Sequence, residues 1–293
     1  MTNLKMKKPI LRKKMSPFFM MLVFILIMSA ISLIAFWFFS SVGKFDSQGF
    51  ISGLLIGAFA QVIDGALGMA YGVVATTFLL SQGITPAVAS GSVHIAEIFT
   101  TGASGLSHWR FGNINKKLFL NLVFPGIVGG LIGVYFVTNI DGEILRPWIS
   151  AYLLILGIRI IFKAFRKIDF HSLIKTKKIA PLALFGGFVD AVGGGGWGPV
   201  VTSTLLGSGH EPKRTIGSVN SAEFFVTCAT GFSFAVLIGV SYWEIVAGLI
   251  VGGLLFAPLA AKIISKIPAK YLIVTIGSLI VALSLINIYK FLN

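Results

Sequence analysis

The sequence predicts an all-α integral membrane protein made of two repeats with opposite membrane topology. Hydrophobic residues make up 56% of the 293 positions and charged residues only 12%, and apolar runs follow one another after residue 17. Residues 64–105 align without a gap to residues 190–231, with 18 of 42 positions identical, so the chain is a tandem duplication. The basic residues form short clusters between the apolar runs. The net charge of +14 therefore indicates membrane orientation, and we expect a lipid bilayer and no nucleic acid as partner.

The N-terminal segment predicts a transmembrane helix that precedes the repeats. A basic stretch, residues 5–14, is followed by an apolar run over residues 18–39. A signal peptide has a shorter apolar core, whereas this run is about the length of one span. We expect residues 1–45 to form a basic cytoplasmic N-terminus and an uncleaved first transmembrane helix.

Each repeat opens with an apolar run whose middle is rich in glycine. The runs cover residues 50–81 and 180–206, and their middles read GALGMAYG and GGGGWGP. Each glycine weakens a helix by about 1 kcal/mol relative to alanine, so a continuous helix is disfavoured at both places. We predict two short helices joined by an unwound turn, which is tolerated at membrane depth only where protein or water satisfies its backbone.

The remaining apolar runs each have the length of one span. They cover residues 87–107, 118–138 and 147–162 in the first repeat, and residues 215–238, 244–261 and 271–289 in the second. The predicted units are therefore the first repeat over residues 46–165, a basic cytoplasmic linker over residues 166–179, and the second repeat over residues 180–293.

The distribution of charge predicts how the glycine-broken elements lie in the membrane. If each glycine-broken element is re-entrant and returns to the side from which it entered, 21 of the 24 lysines and arginines lie in the cytoplasm. Only Lys44, Arg146 and Lys290 then lie outside. If each crossed once, one of the basic loops would face outward, against the positive-inside rule. A re-entrant element plus three spans per repeat makes the second repeat start on the opposite side from the first. Inverted repeats of this kind build many secondary transporters.

A polar stripe on the next helix of each repeat carries one glutamate, Glu97 or Glu223. No lysine or arginine lies in the same or a neighbouring predicted membrane segment. Acids in a membrane interior are functional candidates, and these two are candidates for proton coupling. The alternative is a protonated acid with a purely structural role.

Asp64 and Asp190 stand just before the glycine turns. Each aspartate is a candidate either for capping the following half-helix or for direct contact with a substrate or proton. The turns themselves predict an anion site, because exposed backbone N–H groups at helix starts bind anions without a basic side chain. The predicted substrate-binding residues are Gly68, Gly72, Gly194, Gly195, Gly196, Gly198, Thr76, Thr202, His94 and Asn220.

Other chemical motifs are weak. The pair His94 and Glu97 offers two metal-ligand types on one helical face, which falls short of a metal site. No nucleotide-binding loop or serine-histidine constellation occurs, and the single cysteine, Cys228, excludes an intramolecular disulfide. We therefore expect a protein that is not an enzyme and that carries neither a cofactor nor a metal.

The motifs resemble those of the TauE/SafE family of sulfite exporters and organosulfonate-related permeases. The resemblance is carried by both glycine turns, by the GSV start of the following helices, by the HWRFGNI segment (His108, Arg110, Gly112), and by GLIVGGLLFAPLAAKI at residues 248–263. It covers roughly residues 50–290 and implies an inner-membrane transporter of small sulfur-containing anions. The first turn departs from the family pattern, because Met69 and Tyr71 give it fewer glycines and more bulk.

The sequence leads to a functional hypothesis with two alternatives. The leading hypothesis is a proton-coupled secondary transporter for a small oxyanion, such as sulfite or an organosulfonate, with alternating access between the two repeats. One alternative is a channel or cation-coupled carrier that uses the four acids directly. The other is a membrane scaffold that transports nothing.

Overall fold

The computed structural model describes residues 45–67, 69–163, 165, 176–239, 242–264 and 269–292. The predicted first transmembrane helix, Gly68 and most of the basic linker lie outside these residues. The described part of the chain contains helices and no strand, so the predicted all-α class is confirmed.

The helices are α1 Ser47–Leu67, α2 Tyr71–Ser81, α3 Pro86–Arg110, α4 Lys116–Asn139, α5 Gly142–Lys163, α6 Ile179–Gly193, α7 Ser203–Gly207, α8 Pro212–Ile238, α9 Trp243–Ile264 and α10 Ala269–Leu292. A 3-10 turn, Thr176–Lys178, precedes α6, and a π-helical segment, Trp197–Thr202, runs directly into α7. Both predicted breaks are present, since α1 is separate from α2 and α6 is separate from the π-helical segment.

Four of the described helices are long and apolar enough to cross a membrane. These spans are Ser47–Gly65, Lys116–Asn139, Gly142–Phe162 and Pro212–Ile238. Helix α3, with 25 residues, is also long enough but is more polar, because it carries the stripe that includes His94 and Glu97. The helices thus describe a multi-pass membrane protein in which α3 carries several buried polar groups.

Local sequence explains where several helices begin. Pro86 and Pro212 occupy the first turns of α3 and α8, where the missing N–H costs nothing. The Asn115 side chain accepts hydrogen bonds from the first N–H groups of α4, and Glu211 does the same for α8. The boundaries of these helices therefore follow from capping chemistry.

Contacts between helix ends define two ends of the helical unit. At the Gln82 end, the Gln82 side chain donates to Ser52 Oγ at 2.8 Å and Lys290 donates to the carbonyl of Ser81 at 3.3 Å. At the Asn115 end, reached after the whole length of α3, the backbone N–H of Asn115 donates to Ser218 Oγ at 2.8 Å. Because α1 starts and α2 ends at the Gln82 end, these two helices form a hairpin.

The second hairpin consists of α6, the π-helical segment and α7. Ile179 at the start of α6 and Leu205 near the end of α7 belong to one buried cluster, which also contains Leu118 of α4. Gly129 lies against Leu184 and Gly133 against Phe188, so α6 runs parallel to α4 and starts, like α4, at the Asn115 end. The end of α7 is joined by a short link to the start of α8, which lies at the same end.

Glycines allow each hairpin to pack closely on a helix of the other repeat. Helix α1 lies along α9, where Cβ atoms on Gly53 and Gly57 would overlap the backbone of Ile245 and Leu249. Helix α6 lies along α4 in the same way, with Gly129 against the backbone of Leu184. In addition, α3 packs on α8 and α5 packs on α10. These four helix pairs bring the two glycine turns together.

Candidate functional site

The glycine turns of the two repeats lie in direct contact. A Cβ atom on Gly72 would stand 2.7 Å from the carbonyl oxygen of Gly194 and 2.8 Å from the Cα of Gly195, and one on Gly195 would overlap the backbone of Gly72 and Val73. Gly198 lies equally close to Met69. The chain therefore needs glycine at these positions because two backbones cross there.

Hydrogen bonds and backbone conformation fix this crossing. The Thr76 hydroxyl donates to the carbonyl of Gly194 at 2.6 Å, and Gly194 adopts a left-handed φ of 63°. In the first turn Ala70 has a φ of 116°, although the second repeat has a glycine, Gly196, at the equivalent position. A non-glycine residue there stores strain of about 1–3 kcal/mol, and such strain is characteristic of functional sites. Thr202, the repeat equivalent of Thr76, is buried and its hydroxyl has no hydrogen-bond partner among the described residues.

Asp190 caps the start of the π-helical segment. Its Oδ1 accepts hydrogen bonds from the backbone N–H groups of Gly196 at 2.6 Å and Trp197 at 2.9 Å, and its carbonyl accepts from Gly195 at 3.2 Å. Asp64 accepts from the backbone N–H of Tyr71, which is the repeat equivalent of Trp197. Both aspartates thus act as caps, one of the two roles that the sequence left open. The N–H groups predicted to bind an anion are held by Asp190, and an anion reaches them only if this carboxylate moves away.

His94 of the first repeat contacts this carboxylate of the second. The distance from His94 Nε2 to Asp190 Oδ2 is 3.3 Å, and both side chains are almost completely buried. On the other side of the ring, Nδ1 lies 2.8 Å from the carbonyl oxygen of Ser90. The Ser90 hydroxyl donates to the carbonyl of Ala191 at 2.6 Å and thereby ties α3 to α6. Phe234 packs against the imidazole ring.

The two glutamates have different surroundings. Glu97 is buried, accepts a hydrogen bond from the backbone N–H of Gly72, and has an Oε2 atom without a hydrogen-bond partner in the described part of the chain. Glu223 is half-buried on α8. Within the described residues, neither glutamate forms an ion pair with a lysine or arginine, and neither aspartate of the cluster does so. The four acids and His94 form an acidic cluster, in which His94 is the group that can carry a positive charge.

Asn220 lies apart from the crossing, although it is the repeat equivalent of His94. Its amide donates to Ser104 Oγ at 3.0 Å and so joins α8 to α3. The two repeats thus differ at the position where the first carries an imidazole that contacts an acid of the other repeat.

Two tyrosines belong to the site but were not predicted. Tyr71 donates from its hydroxyl to the carbonyl of Leu249 at 3.0 Å, and the Tyr152 hydroxyl lies against Gly196 without a hydrogen-bond partner among the described residues. Tyr152 has no charged or hydroxyl-bearing residue three or four positions away in α5, so the sequence offers no periodic signal for it. For Tyr71 the sequence did offer a signal, because the alignment of the repeats pairs it with Trp197 of the second turn.

The chain is similar to known membrane transporters. The family described as "Sulfite exporter TauE/SafE" matches residues 53–286. The chain is 41% identical over 246 residues to "Probable membrane transporter protein YtnM" of Bacillus subtilis (strain 168), which covers 81% of each chain. It is 28% identical over 151 residues to "Probable membrane transporter protein ORF9" of Sinorhizobium sp, which covers 50% of this chain and 56% of that protein. No solved structure matches the chain at a significant level.

These matches confirm the resemblance that the glycine turns indicated. The matched range includes both turns, all four acids and His94, so the similarity extends over the whole crossing. The chain therefore belongs to the TauE/SafE sulfite exporter family and is a membrane transporter.

Proposed function

We propose that this protein is a proton-coupled secondary transporter of a small sulfur-containing oxyanion, such as sulfite or an organosulfonate. The observation that carries the proposal is the crossing itself, where two helix starts from the two repeats are in contact and four acids interact electrostatically. Helix starts favour negative charge, and buried acids without a lysine or arginine partner bind and release protons. The name of the matched family supports a sulfur oxyanion as the substrate class.

We further propose that residues 46–165 and 180–293 are inverted repeats that give alternating access. The first hairpin starts and finishes at the Gln82 end, whereas the equivalent second hairpin starts and finishes at the Asn115 end. When the two repeats are aligned, their helix bounds also agree, since Tyr71–Ser81 of the first corresponds to Trp197–Gly207 of the second. A rocking motion of one hairpin and its partner helix against the other pair exposes the crossing first to one end and then to the other.

The proposed orientation places the Asn115 end in the cytoplasm of a bacterial inner membrane. Arg110, Lys116, Lys117, Lys213 and Arg214 lie near this end, whereas Arg146 and Lys290 lie near the Gln82 end. The positive-inside rule favours the basic end as cytoplasmic. The N-terminus is then cytoplasmic if residues 18–39 cross once.

Cysteine labelling tests this topology. In a Cys228→Ser background, cysteines at Gln82 and Asp141 are expected to react with a membrane-impermeant maleimide added outside. A cysteine at Ser208 is expected to react only after permeabilisation, because it lies at the other end. Labelling of Gln82 and Ser208 from the same side would contradict the inverted arrangement.

Uptake by proteoliposomes tests the substrate class. We expect accumulation of sulfite or of a simple sulfonate when a pH gradient is imposed, and loss of that accumulation when a protonophore collapses the gradient. Chloride and a divalent cation serve as comparison ions. Uptake of the cation alone would favour the cation-coupled alternative. If correctly folded protein takes up none of the tested ions, the result would favour the scaffold.

A further inference from the structure

The hydrogen bonds around His94 determine which ring nitrogen carries a proton. Nδ1 faces the carbonyl oxygen of Ser90 at 2.8 Å, and a carbonyl oxygen only accepts. Nδ1 also lies 3.3 Å from the Ser90 hydroxyl oxygen, whose own hydrogen is donated to Ala191. Both neighbours are acceptors toward the ring. Nδ1 therefore bears the hydrogen, and in neutral imidazole Nε2 is bare.

The bare nitrogen faces a carboxylate oxygen. Nε2 and Asp190 Oδ2 are 3.3 Å apart, at ion-pair distance, and neither atom has a hydrogen-bond partner in the described part of the chain. Two lone pairs facing each other in a buried site repel, so one proton must lie between them. We propose that His94 and Asp190 hold a single shared proton, and that this is the proton whose movement frees the second glycine turn for an anion. The second half of this statement rests on the proposed function.

The transfer is balanced within the pair. The N–H bond at Nε2 breaks and an O–H bond forms at Oδ2, so imidazolium and carboxylate become neutral imidazole and neutral acid. Oδ1 of Asp190 then accepts from Gly196 and Trp197 as part of a neutral group, and such bonds are roughly half as strong as those to a carboxylate. The neutral acid leaves the turn more easily. A substrate oxyanion that takes its place restores the negative charge at the helix start.

The surrounding titratable groups favour retention of the proton. Asp190 interacts electrostatically with Glu97 of α3, Glu223 of α8 and Tyr152 of α5. Asp64 of α1 and Tyr71 of α2 belong to the same electrostatic cluster. Each of these groups is neutral or negative, so none of them replaces the shared proton as a source of positive charge. Arg159 of α5 interacts electrostatically with Tyr152, whereas the positive group that acts on Asp190 is His94.

Counting bound protons tests the shared site without any substrate. Purified protein in detergent is titrated between about pH 5 and 8, the range in which histidine changes charge. Asp190→Asn is expected to bind one proton fewer than the wild type, because His94 is left without a carboxylate to share the proton. The double variant with His94→Asn is also expected to lack only one, because both residues contribute to the same proton. A double variant that lacks two, or an Asp190→Asn variant that lacks none, would overturn the proposal.

A matched control establishes that the numbers of protons lost at two separate sites add in a double variant. His108 lies at the far end of α3, where its ring contacts Asn113 and not the crossing. His108→Asn combined with Asp190→Asn is therefore expected to lack two protons. If Asp190→Asn does not fold, His94→Asn and His94→Gln are compared instead with the wild type by 15N NMR of the imidazoles. An Nε2 signal that belongs to His94 and shows a bound proton supports sharing, and a bare Nε2 contradicts it.

A transport assay separately tests whether the shared proton couples transport to the pH gradient. In proteoliposomes, uptake of methanesulfonate driven by a pH gradient is expected to be lost in both single variants and kept in His108→Asn. Gradient-driven uptake in both variants equal to that of the wild type would reject the coupling role. Because the proton count needs no substrate, it remains a test of the shared site even if sulfur oxyanions prove not to be carried.

Discussion

Gly195→Val is expected to abolish transport. A Cβ atom at this position overlaps the backbone of Gly72 and Val73, and backbone atoms cannot rotate aside as a flexible side chain can. Overpacking of a closely packed site costs about 1–3 kcal/mol, and more where backbone must shift. We therefore expect the variant to reach the membrane with a lower melting temperature and without measurable uptake of the oxyanion that the wild type carries.

Gly207→Val is the matched control for this change. Gly207 ends α7 in the same hairpin, and a Cβ atom there meets no atom within 4 Å. It is expected to retain melting temperature and uptake close to those of the wild type. Wild-type uptake by Gly195→Val would contradict the view that contact between the two turns is required for function.

Local sequence predicted the breaks in the helices but not the partners of the broken ends. The runs at residues 50–81 and 180–206 break at their glycines, as expected, because each glycine lowers helix stability at the same place. The positive φ of Ala70 and the π-helical form of Trp197–Thr202 were not predictable. Both arise where two backbones from distant parts of the chain press on each other. A local pattern contains no information about such contacts.

The sequence named several of the residues that lie at the crossing, but not the contacts that connect them. The duplication identified Asp190 and Glu97 by their type and surroundings, and it allowed both a capping role and a chemical role for Asp190. It also implied that His94 and Asn220 are equivalent. The structure separates them, because His94 reaches an acid of the opposite repeat whereas Asn220 bonds to Ser104. The distinction depends on how α3 packs against α6, which is a tertiary property.

Glu97→Gln is expected to uncouple transport from the pH gradient. Glutamine keeps an oxygen that accepts from the Gly72 N–H, so the helix start retains its cap, but the side chain can no longer bind and release a proton. With one proton coupled to each anion, a gradient of one pH unit supports about tenfold accumulation, since one unit corresponds to about 1.4 kcal/mol. The variant is expected to show no accumulation while still exchanging labelled substrate across the membrane.

Glu223→Gln and Glu143→Gln complete this comparison. Glu223 is the repeat equivalent of Glu97 and is half-buried, so we expect its replacement also to lower accumulation. Glu143 is exposed near Arg146 at the Gln82 end, outside the cluster, and its replacement should leave the accumulation ratio unchanged. Exchange without accumulation separates lost coupling from lost binding, because a variant that no longer binds the anion shows neither. If Glu97→Gln and Glu223→Gln both accumulate substrate about tenfold, the two glutamates are structural and the driving proton binds elsewhere in the crossing.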